Sequence, residues 1–488
     1  MLIPVTSASA VDEINTQRLR NAVNSAGILS HERVLQRIAN NNGGTRASGT
    51  PGYQASVDYV AGKLRAAHYD VSIQEFEFPF FDDNSTLTVG GTAIETGALT
   101  FSGEGTVSGE LVPAAGIQIP PPAQAGTTTS GCSATDFTPA PAEPSVALVQ
   151  RGTCNFSVKV DNAIAAGYDA VIIFNEGQPG RDGVLAGTLG TQYNVPVIGI
   201  SYADGVDLYD ATQAGALDVD VNVDITNDTR TTYNVIADSK GGDPNKVLVV
   251  GAHLDSVTKG PGINDNGSGT ATNLETAIQM DKLNIKPLQK VRFAFWGAEE
   301  LGLLGSTHYV ESLSDDGVEQ IFANLNFDML GSPNYVRFVY DGDGSSEGIE
   351  GPPGSAQIES IFNDYFASKN LATAPTAFDG RSDYGPFIAI GIPAGGLFSG
   401  AEGIKTEEEA AIYGGTAGEP YDACYHQACD TTNNLSTKAL GEMGDAVAHS
   451  VMTLARTKTG FYEDGSRMAA RQAISMDQFD FRGGQAVR

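Results

Sequence analysis

The sequence predicts an α/β fold, in which helices sandwich a mixed, largely parallel β-sheet and a β-rich α+β domain is inserted into the chain. The run Val247–Gly251 is wholly apolar and rich in β-branched residues, which is typical of a strand buried on both faces of a parallel sheet. Segments with helical spacing of apolar residues alternate with such strands. From about Thr100 to Asn222 the chain becomes dense in Gly, Ala and Pro, which indicates a separate domain.

The chain length and charge set limits on the class of protein. With 488 residues, the chain is longer than one ordinary domain. It contains no stretch of about eighteen apolar residues, so we expect no membrane span. The net charge of −30, from 59 acidic and 29 basic residues, disfavours nucleic acid as a partner.

The N-terminal segment, residues 1–15, carries small residues in an A-x-A arrangement at Ala8 and Ala10. This arrangement predicts the remainder of a secretory signal peptide and therefore a secreted protein; the alternative is a disordered terminus. The C-terminal tail, residues 461–488, lacks a sustained apolar period, which favours disorder.

The regular elements between these ends follow from apolar periodicity. The predicted helices are Ile28–Ile38, Ser56–Ala67, Asn266–Leu283, Glu299–Leu313 and Lys438–Thr453. The predicted strands are Val71–Phe78, Val146–Val149, Ala170–Phe174, Pro196–Ile200, Tyr233–Asp238, Val247–Gly251, Val291–Trp296 and Ile392–Phe398. The main domain would comprise residues 16–99 and 225–460, and the inserted domain residues 100–224.

Polar side chains gather where two of these strands end. His253 and Asp255 follow the strand Val247–Gly251, and Glu299 and Glu300 follow the strand Val291–Trp296. Open α/β sheets place their ligands at the carboxyl ends of strands, so these side chains should reach one edge.

Asp265 joins them from a loop rich in Gly and Asn, GINDNGSG, which opens into a helix capped by Asn266 or Ser268. Two adjacent carboxylates such as Glu299 and Glu300 cannot both stay ionised cheaply without a cation. A division into one metal ligand and one general base would meet this constraint.

Five motifs occur in the order GAHLDS, GINDNGSG, WGAEELGLLGS, NFDMLGSPN and CYHQACD. In this they resemble the secreted di-zinc aminopeptidases of the bacterial leucyl aminopeptidase and aminopeptidase Y family. SGELVPAAG and VPVIGIS, within the inserted segment, resemble a protease-associated domain. Relatives of this kind include some with removable C-terminal extensions, so an inhibitory tail is an alternative to a disordered one.

The resemblance implies two zinc ions per chain, bound by imidazole and carboxylate rather than thiolate. The implied ligands are His253 and Asp328 for one zinc, Glu300 and His426 for the other, and Asp265 as the bridge. Asp255 would orient the His253 imidazole. The family also has a cis peptide after the bridging aspartate, here Asp265–Asn266. Nothing in the sequence indicates calcium.

The resemblance also implies catalytic and substrate-binding residues. Glu299 would be the general base, and Tyr425 would donate a hydrogen bond to the oxyanion. The implied substrate-binding residues are Met329, Gly380 and Phe398, which would favour leucine-like side chains, and Arg381, near the substrate amine. Packing roles remain alternatives for Tyr425 and for the pocket residues. His31, His68, His308 and His449 lie outside the motifs and are interpreted as structural or surface residues.

Four cysteines fall into two local pairs, Cys132 with Cys154 and Cys424 with Cys429. Four cysteines allow three connectivities, and local disulfides in an exported protein are the simplest of them. Free buried thiols are the alternative.

We therefore expect a secreted, monomeric, di-zinc aminopeptidase that acts on the N-termini of peptides or proteins. A carboxypeptidase of the same superfamily would share the ligands, and a receptor-like binding protein would have lost them. Glutaminyl cyclases, which use one zinc, are disfavoured because both sets of ligands are present.

Overall fold

The structure is a computed structural model that describes residues 14–141, 144–178, 181–346 and 348–458. Most of the predicted N-terminal segment 1–15 and the whole of the predicted tail 461–488 lie outside the described residues.

The helices of the described residues are α1 (Gln17–Arg20), α2 (Ser25–Asn41), α3 (Pro51–Ala66), α4 (Phe156–Ala166), α5 (Tyr202–Ala214), α6 (Gly269–Lys282), α7 (Leu304–Glu311), α8 (Asp315–Gln320), α9 (Ser355–Ser368), α10 (Gly385–Ala389), α11 (Glu407–Tyr413) and α12 (Thr437–Arg456).

The strands of the described residues are β1 (Asp70–Asp83), β2 (Thr86–Val89), β3 (Thr92–Ile94), β4 (Gly97–Ala98), β5 (Gly105–Pro113), β6 (Ser145–Gln150), β7 (Ala170–Phe174), β8 (Val197–Ile200), β9 (Asp218–Val223), β10 (Ile225–Asp238), β11 (Asp243–His253), β12 (Gln289–Trp296), β13 (Ile321–Phe327), β14 (Phe338–Tyr340), β15 (Ala374–Thr376) and β16 (Ala394–Phe398).

The chain divides into two compact units. The first combines the described residues up to Phe80 with those from Thr229 onward, and the second is Phe81–Asp228. The second unit contains the whole of the segment 100–224 that the sequence sets apart.

Eight strands form the main sheet, in the order β1-β10-β12-β11-β13-β16-β14-β15. The four central strands, β12, β11, β13 and β16, run parallel, whereas β10 and β14 pair antiparallel with their inner neighbours. The predicted mixed, largely parallel sheet is therefore confirmed.

Helices cover the main sheet on both faces. Leu248 and Val250 of β11 belong to a core that includes residues of α2, α3, α6 and α12. Their neighbours Val247 and Val249 point to the opposite face, into a core with Trp296 and with residues of α7 and α10. This alternation explains why β11 is continuously apolar, because each of its faces meets a hydrophobic layer.

The register brings the carboxyl ends of the central strands to one edge of the sheet. His253 lies opposite Trp296, Gly251 opposite Asn326, and Phe327 opposite Leu397 in neighbouring strands. The residues that follow these strands consequently leave the sheet at the same edge, where parallel sheets bind ligands.

Two helices begin later in the chain than predicted. The helix predicted from Glu299 begins at Leu304, because Ala298 and Leu303 have positive φ and the chain turns between them. The helix predicted from Asn266 begins at Gly269, and the Asn266 side chain accepts a hydrogen bond from the Gly269 N–H at 2.9 Å. A turn precedes α7, whereas Ile263–Ser268 before α6 form a π-helical turn with non-helical φ and ψ at Asp265 and Asn266.

The second unit has its own eight-stranded sheet, in the order β3-β2-β9-β5-β6-β7-β8-β4, with β5 to β8 parallel. Ile172 and Ile198 point to a core that includes α5, and Val171 and Val197 point to a core that includes α4. A disulfide joins Cys132 and Cys154 in this unit. The inserted β-rich α+β domain is thus confirmed.

His449 of α12 lies between helices of the first unit. Its Nδ1 lies 2.8 Å from the Thr16 hydroxyl, and its ring stacks on Tyr365 with centroids 4.6 Å apart. Burial, together with the positive charges of Arg20 and Lys369, lowers the pKa of His449 from 6.5 to about 4.

This lowered pKa predicts that the free energy of unfolding depends on pH through His449. In the unfolded chain His449 binds a proton with its ordinary pKa of 6.5, whereas in the folded protein it does so only with a pKa of about 4. Between these two values the unfolded chain binds more protons than the folded protein, so the free energy of unfolding should fall as pH falls. The loss between about pH 7 and pH 5 should be about 1 kcal/mol, allowing for partial solvent screening. Urea unfolding at the two pH values should show a smaller loss in H449Q, and an unchanged loss would contradict the assignment.

Candidate metal centre

Five carboxylates and two imidazoles meet at the carboxyl edge of the main sheet. His253 ends β11, Glu299 and Glu300 follow β12, and Asp328 follows β13. Asp265 lies in the turn Ile263–Ser268 before α6. Asp255 follows β11 closely, and His426 comes from a loop far along the chain. All seven residues are among those that the sequence motifs single out.

Asp265 is shared by two groups of potential metal ligands. In the first, Nε2 of His253 lies 3.1 Å from Asp265 Oδ1 and 3.4 Å from Asp328 Oδ1. In the second, Nε2 of His426 lies 3.1 Å from Asp265 Oδ2 and 3.0 Å from Glu300 Oε2. Each carboxylate oxygen of Asp265 therefore faces a different group.

Hydrogen bonds from one side chain tie the Asp265 turn to the end of β13. The peptide bond between Asp265 and Asn266 is cis, as the resemblance implies. The Asn266 Nδ2 donates to the Phe327 carbonyl at 2.9 Å, and its Oδ1 accepts from the Gly269 N–H. These contacts place Asp265 beside Asp328, which follows Phe327 directly.

Ser382 is a contact of the centre that the motifs do not reveal. Its hydroxyl donates to Asp328 Oδ2 at 2.5 Å, and Asn326 Nδ2 donates to the Ser382 hydroxyl at 2.8 Å. The only signal available in the sequence is its position beside Gly380 and Arg381 in GRSDYGPF.

Asp255 lies against both His253 and Glu299. Its Oδ1 is 3.5 Å from His253 Nδ1 and accepts the backbone N–H of Glu299 at 3.3 Å. Asp255 is buried, so it lies behind the imidazole rather than at the open side of the centre.

The charges of the centre perturb one another strongly. Burial by itself lowers the pKa of His253, but the carboxylates of Glu299 and Asp328 raise it well above its ordinary value. Burial likewise opposes the proton on His426, whereas Glu300 and Asp265 raise its pKa overall. Without a metal ion, both imidazoles would thus be held as cations among carboxylates.

Burial acts on the pKa of Glu299 in the direction opposite to its effect on the two imidazoles. Burial raises the pKa of Glu299 well above its ordinary value; His253 opposes this shift, and the carboxylates of Asp383 and Asp328 add to it. Burial raises the pKa of Glu300 as well. Positive charge at the centre would relieve this repulsion.

The donor atoms fit metal ions such as zinc. Asp328 Oδ1 and Glu300 Oε1 are buried and accept no hydrogen bond from the described residues, so each offers a free lone pair. Imidazole nitrogen and carboxylate oxygen, three residues to a group, are the ligands of catalytic zinc sites.

A third acidic group contrasts with these two. Asp341, Asp343 and Glu359 also lie close together. Their oxygens accept backbone N–H groups, such as that of Gly342 at 2.9 Å and that of Ser346 at 2.9 Å. Hydrogen bonds satisfy this group, and we assign it no metal.

Tyr425 and His426 lie in the loop closed by the Cys424–Cys429 disulfide. Their rings stack with centroids 3.8 Å apart. Burial raises the pKa of Tyr425 well above its ordinary value, and the carboxylates of Asp265 and Glu300 raise it further.

The predicted pocket residues lie in segments around Asp328. Met329 follows it directly, and the Met329 carbonyl accepts the N–H of Ser399, the residue after Phe398. Gly380, with φ of +82°, precedes Ser382 by two residues. Arg381 forms an ion pair with Glu402, with Nη1 and Oε1 2.9 Å apart, and about half of each side chain is exposed.

No helix of the described residues has both the length and the apolar character needed to cross a membrane.

Comparison with known families identifies both parts of the chain. Residues 234–451 match peptidase family M28, and residues 107–208 match the PA domain. An aminopeptidase of Pseudomonas aeruginosa is 46% identical over 88% of this chain and 81% of its own length. A probable lipoprotein aminopeptidase of Mycobacterium tuberculosis is 44% identical over 92% and 88%. Leucine aminopeptidase 2 of Trichophyton rubrum is 39% identical over 91% and 86%.

Solved structures that resemble this chain are also aminopeptidases. The aminopeptidase from Aneurinibacillus sp. strain AM-1 superposes with a TM-score of 0.65 at 28% identity, covering 91% of this chain and 97% of the other. A zinc aminopeptidase from Bacillus subtilis gives 0.62 at 26% identity, covering 89% and 96%.

The raised pKa values of His253 and His426 predict that zinc binding to the metal-free protein releases protons at about pH 7. An imidazole must lose its proton before it can bind a metal, so the apparent zinc affinity should weaken as pH falls. Titration calorimetry in buffers with different ionisation enthalpies measures the number of protons. Zinc binding without proton release would contradict the arrangement.

Proposed function

The chain belongs to peptidase family M28, and on that premise we propose that it uses two zinc ions to remove leucine-like, apolar residues from the N-termini of peptides. All the relatives described above are named as aminopeptidases, and the Bacillus subtilis enzyme is named as a zinc aminopeptidase, which supports the coarser activity, that of a metal-dependent aminopeptidase. The two-zinc proposal rests on one observation above all, the sharing of Asp265 between two ligand groups.

In this proposal His253 and Asp328 would hold one zinc ion, Glu300 and His426 would hold the other, and Asp265 would be shared by both sets of ligands. Zinc bound there would lower the pKa of a water molecule and polarise the substrate carbonyl. Ser382 holds Asp328 through its hydrogen bond to Oδ2, which leaves Oδ1 free.

Glu299 is the general base of the proposal. Its Oε2 lies 3.7 Å from His253 Nε2, next to both ligand groups, and its backbone is held by the bond to Asp255. The carboxylate takes a proton from the attacking water and delivers it to the leaving amine. Burial, the largest cause that raises the pKa of Glu299, favours uptake of this proton.

Tyr425 is the hydrogen-bond donor to the oxyanion. Stacking on His426 fixes its ring, and the raised pKa keeps its hydroxyl protonated and able to donate. The disulfide of its loop limits the conformations that this donor can adopt.

Substrate selection is assigned to the segments around Asp328. Met329, Gly380 and Phe398 would line the pocket for the first side chain. Arg381 would lie near the substrate amine, but its guanidinium repels an ammonium group. The carboxylate of its partner Glu402 has the sign that would attract one, so we assign the amine to the pair.

Two further proposals concern the setting of the enzyme. We infer a secreted protein, because both cysteine pairs form disulfides, and disulfides persist in oxidising compartments. We also propose that the chain acts as a monomer on peptide or protein N-termini, since the proposed site is assembled entirely from residues of one chain.

Leucine p-nitroanilide should be hydrolysed, whereas its N-acetylated form should not, because the proposed site requires a free amine. A chelator should abolish the hydrolysis, and added zinc should restore it. Release of p-nitroaniline measures both. Inertness on both compounds in a protein that still binds two zinc ions would point to a carboxypeptidase instead.

The substitution E299Q should lower kcat by about 10²- to 10⁴-fold while zinc content remains unchanged, because an amide cannot take up the proton. The matched control is E311Q, at the exposed end of α7, which should retain wild-type kcat. Metal analysis beside the kinetics separates the two effects. Loss of zinc in E299Q, or a kcat within threefold of wild type, would remove Glu299 from its role.

A further inference from the structure

Asn264, the residue before Asp265, is completely buried and has hydrogen-bond partners on several sides. Its Nδ2 donates to Asp422 Oδ2 at 2.6 Å and to the Ser332 hydroxyl at 3.1 Å. Its Oδ1 accepts the Gly331 N–H at 2.9 Å. Both ends of the amide are therefore used, because its NH2 group donates two hydrogen bonds and its oxygen accepts one.

These partners belong to the segments that carry the proposed ligands. Gly331 and Ser332 follow Asp328 by three and four residues. Asp422 precedes the disulfide loop of His426 by two residues. Asn264 itself precedes the bridging Asp265. The Asn264 side chain thus contacts two of the segments that carry proposed ligands, and its own backbone continues into the third.

A second aspartate completes the attachment of the disulfide loop. Asp430 follows Cys429 directly, and its two oxygens accept the backbone N–H groups of Asn264 and Asp265 at 2.8 and 3.0 Å. On the other side of the loop, Asp422 Oδ1 accepts the N–H of Cys424 at 2.8 Å. Two buried aspartates therefore bracket the loop, and both bind Asn264.

We propose that Asn264 is a positioning residue that fixes the His426 loop and the Asp328 segment relative to the bridging Asp265. Hydrogen bonds of its amide to Asp422, Ser332 and Gly331 hold these segments against one another. The inference rests on the proposed two-zinc function, to which it adds a residue that touches neither metal nor substrate. Partners of this outer kind typically change metal affinity by about 10- to 100-fold.

The pair Asn264 and Asp422 allows a test by exchange of donor and acceptor. In N264D, two carboxylates face each other at the position of the 2.6 Å bond, and the Nδ2 donor is lost. In N264D/D422N, the new amide at position 422 can donate to the new carboxylate at position 264, while its own oxygen still accepts from Cys424. The exchange keeps the shape of both side chains and reverses the direction of the 2.6 Å bond. The Asn434 Nδ2 keeps its 2.8 Å bond to the remaining oxygen of residue 422 and loses its 3.0 Å bond to the other atom.

Zinc affinity is measured on each metal-free protein by competition with a chelating dye, and kcat and KM are measured at saturating zinc. N264D should weaken zinc binding at least tenfold and lower kcat more than KM changes. N264D/D422N should recover at least half of the loss on a logarithmic scale. A merely structural role would lower the unfolding temperature without this recovery of affinity.

Asn434→Ala is the control. Among the described residues, the Asn434 Nδ2 donates to both oxygens of Asp422 at 2.8 and 3.0 Å and to Asp430 Oδ1 at 3.4 Å, but it makes no hydrogen bond to the Asp328 segment. We expect N434A to lower the unfolding temperature and to leave zinc affinity within threefold of wild type. An equal loss of affinity in N434A and N264D would overturn the proposal.

Three other results would decide the question. Zinc affinity and kcat of N264D within twofold of wild type, in a wild type that binds two zinc ions, would overturn this inference alone. A wild type that binds no zinc would overturn the proposed function and this inference with it. If N264D fails to fold, D422N replaces it, and a double variant that binds zinc more weakly than D422N would overturn the proposal.

Discussion

The concentration of buried negative charge around Asp265 is the constraint on which the rest of the molecule depends. Asp255, Asp265, Glu299, Glu300 and Asp328 gather in a space that two imidazoles share, and most of these side chains are nearly inaccessible to water. Such a cluster repels itself unless cations occupy it. The folded chain must therefore oppose this repulsion with its own packing and hydrogen bonds, and a bound metal ion would convert the repulsion into attraction.

The main sheet meets this requirement by geometry. Parallel strands deliver their following residues to one edge, so His253, Glu299 and Asp328 converge although about seventy residues separate the first from the last. The hydrophobic layers on both faces of β11 hold this edge rigidly. His426 has no strand beneath it, and its position depends instead on a disulfide and on contacts with the Asp265 turn.

Some of these residues are positioned by strands and others by contacts between distant parts of the chain, and this difference determines what could be predicted from the sequence alone. Strands such as β11 were predictable because a strand that is buried on both faces has a continuous run of apolar residues. The candidate ligands could be singled out because their motifs match those of a family. The start of α7 was not predictable, because the left-handed Leu303 carries no residue signal for a turn. Asn264, Ser382 and Asp430 were not, since their partners lie dozens of residues or more away and only the tertiary structure joins them.

The placement of β1 beside β10 in the main sheet has a consequence for how this chain could have arisen. The chain leaves the first unit along β1 and re-enters it along β10, its neighbour, with Phe81–Asp228 in between. A gene could gain or lose the whole of that interval in a single recombination event, and the strand order of the recipient sheet would be unchanged. Lineages of one peptidase could thus differ by an entire domain while keeping every ligand at the same edge of the sheet.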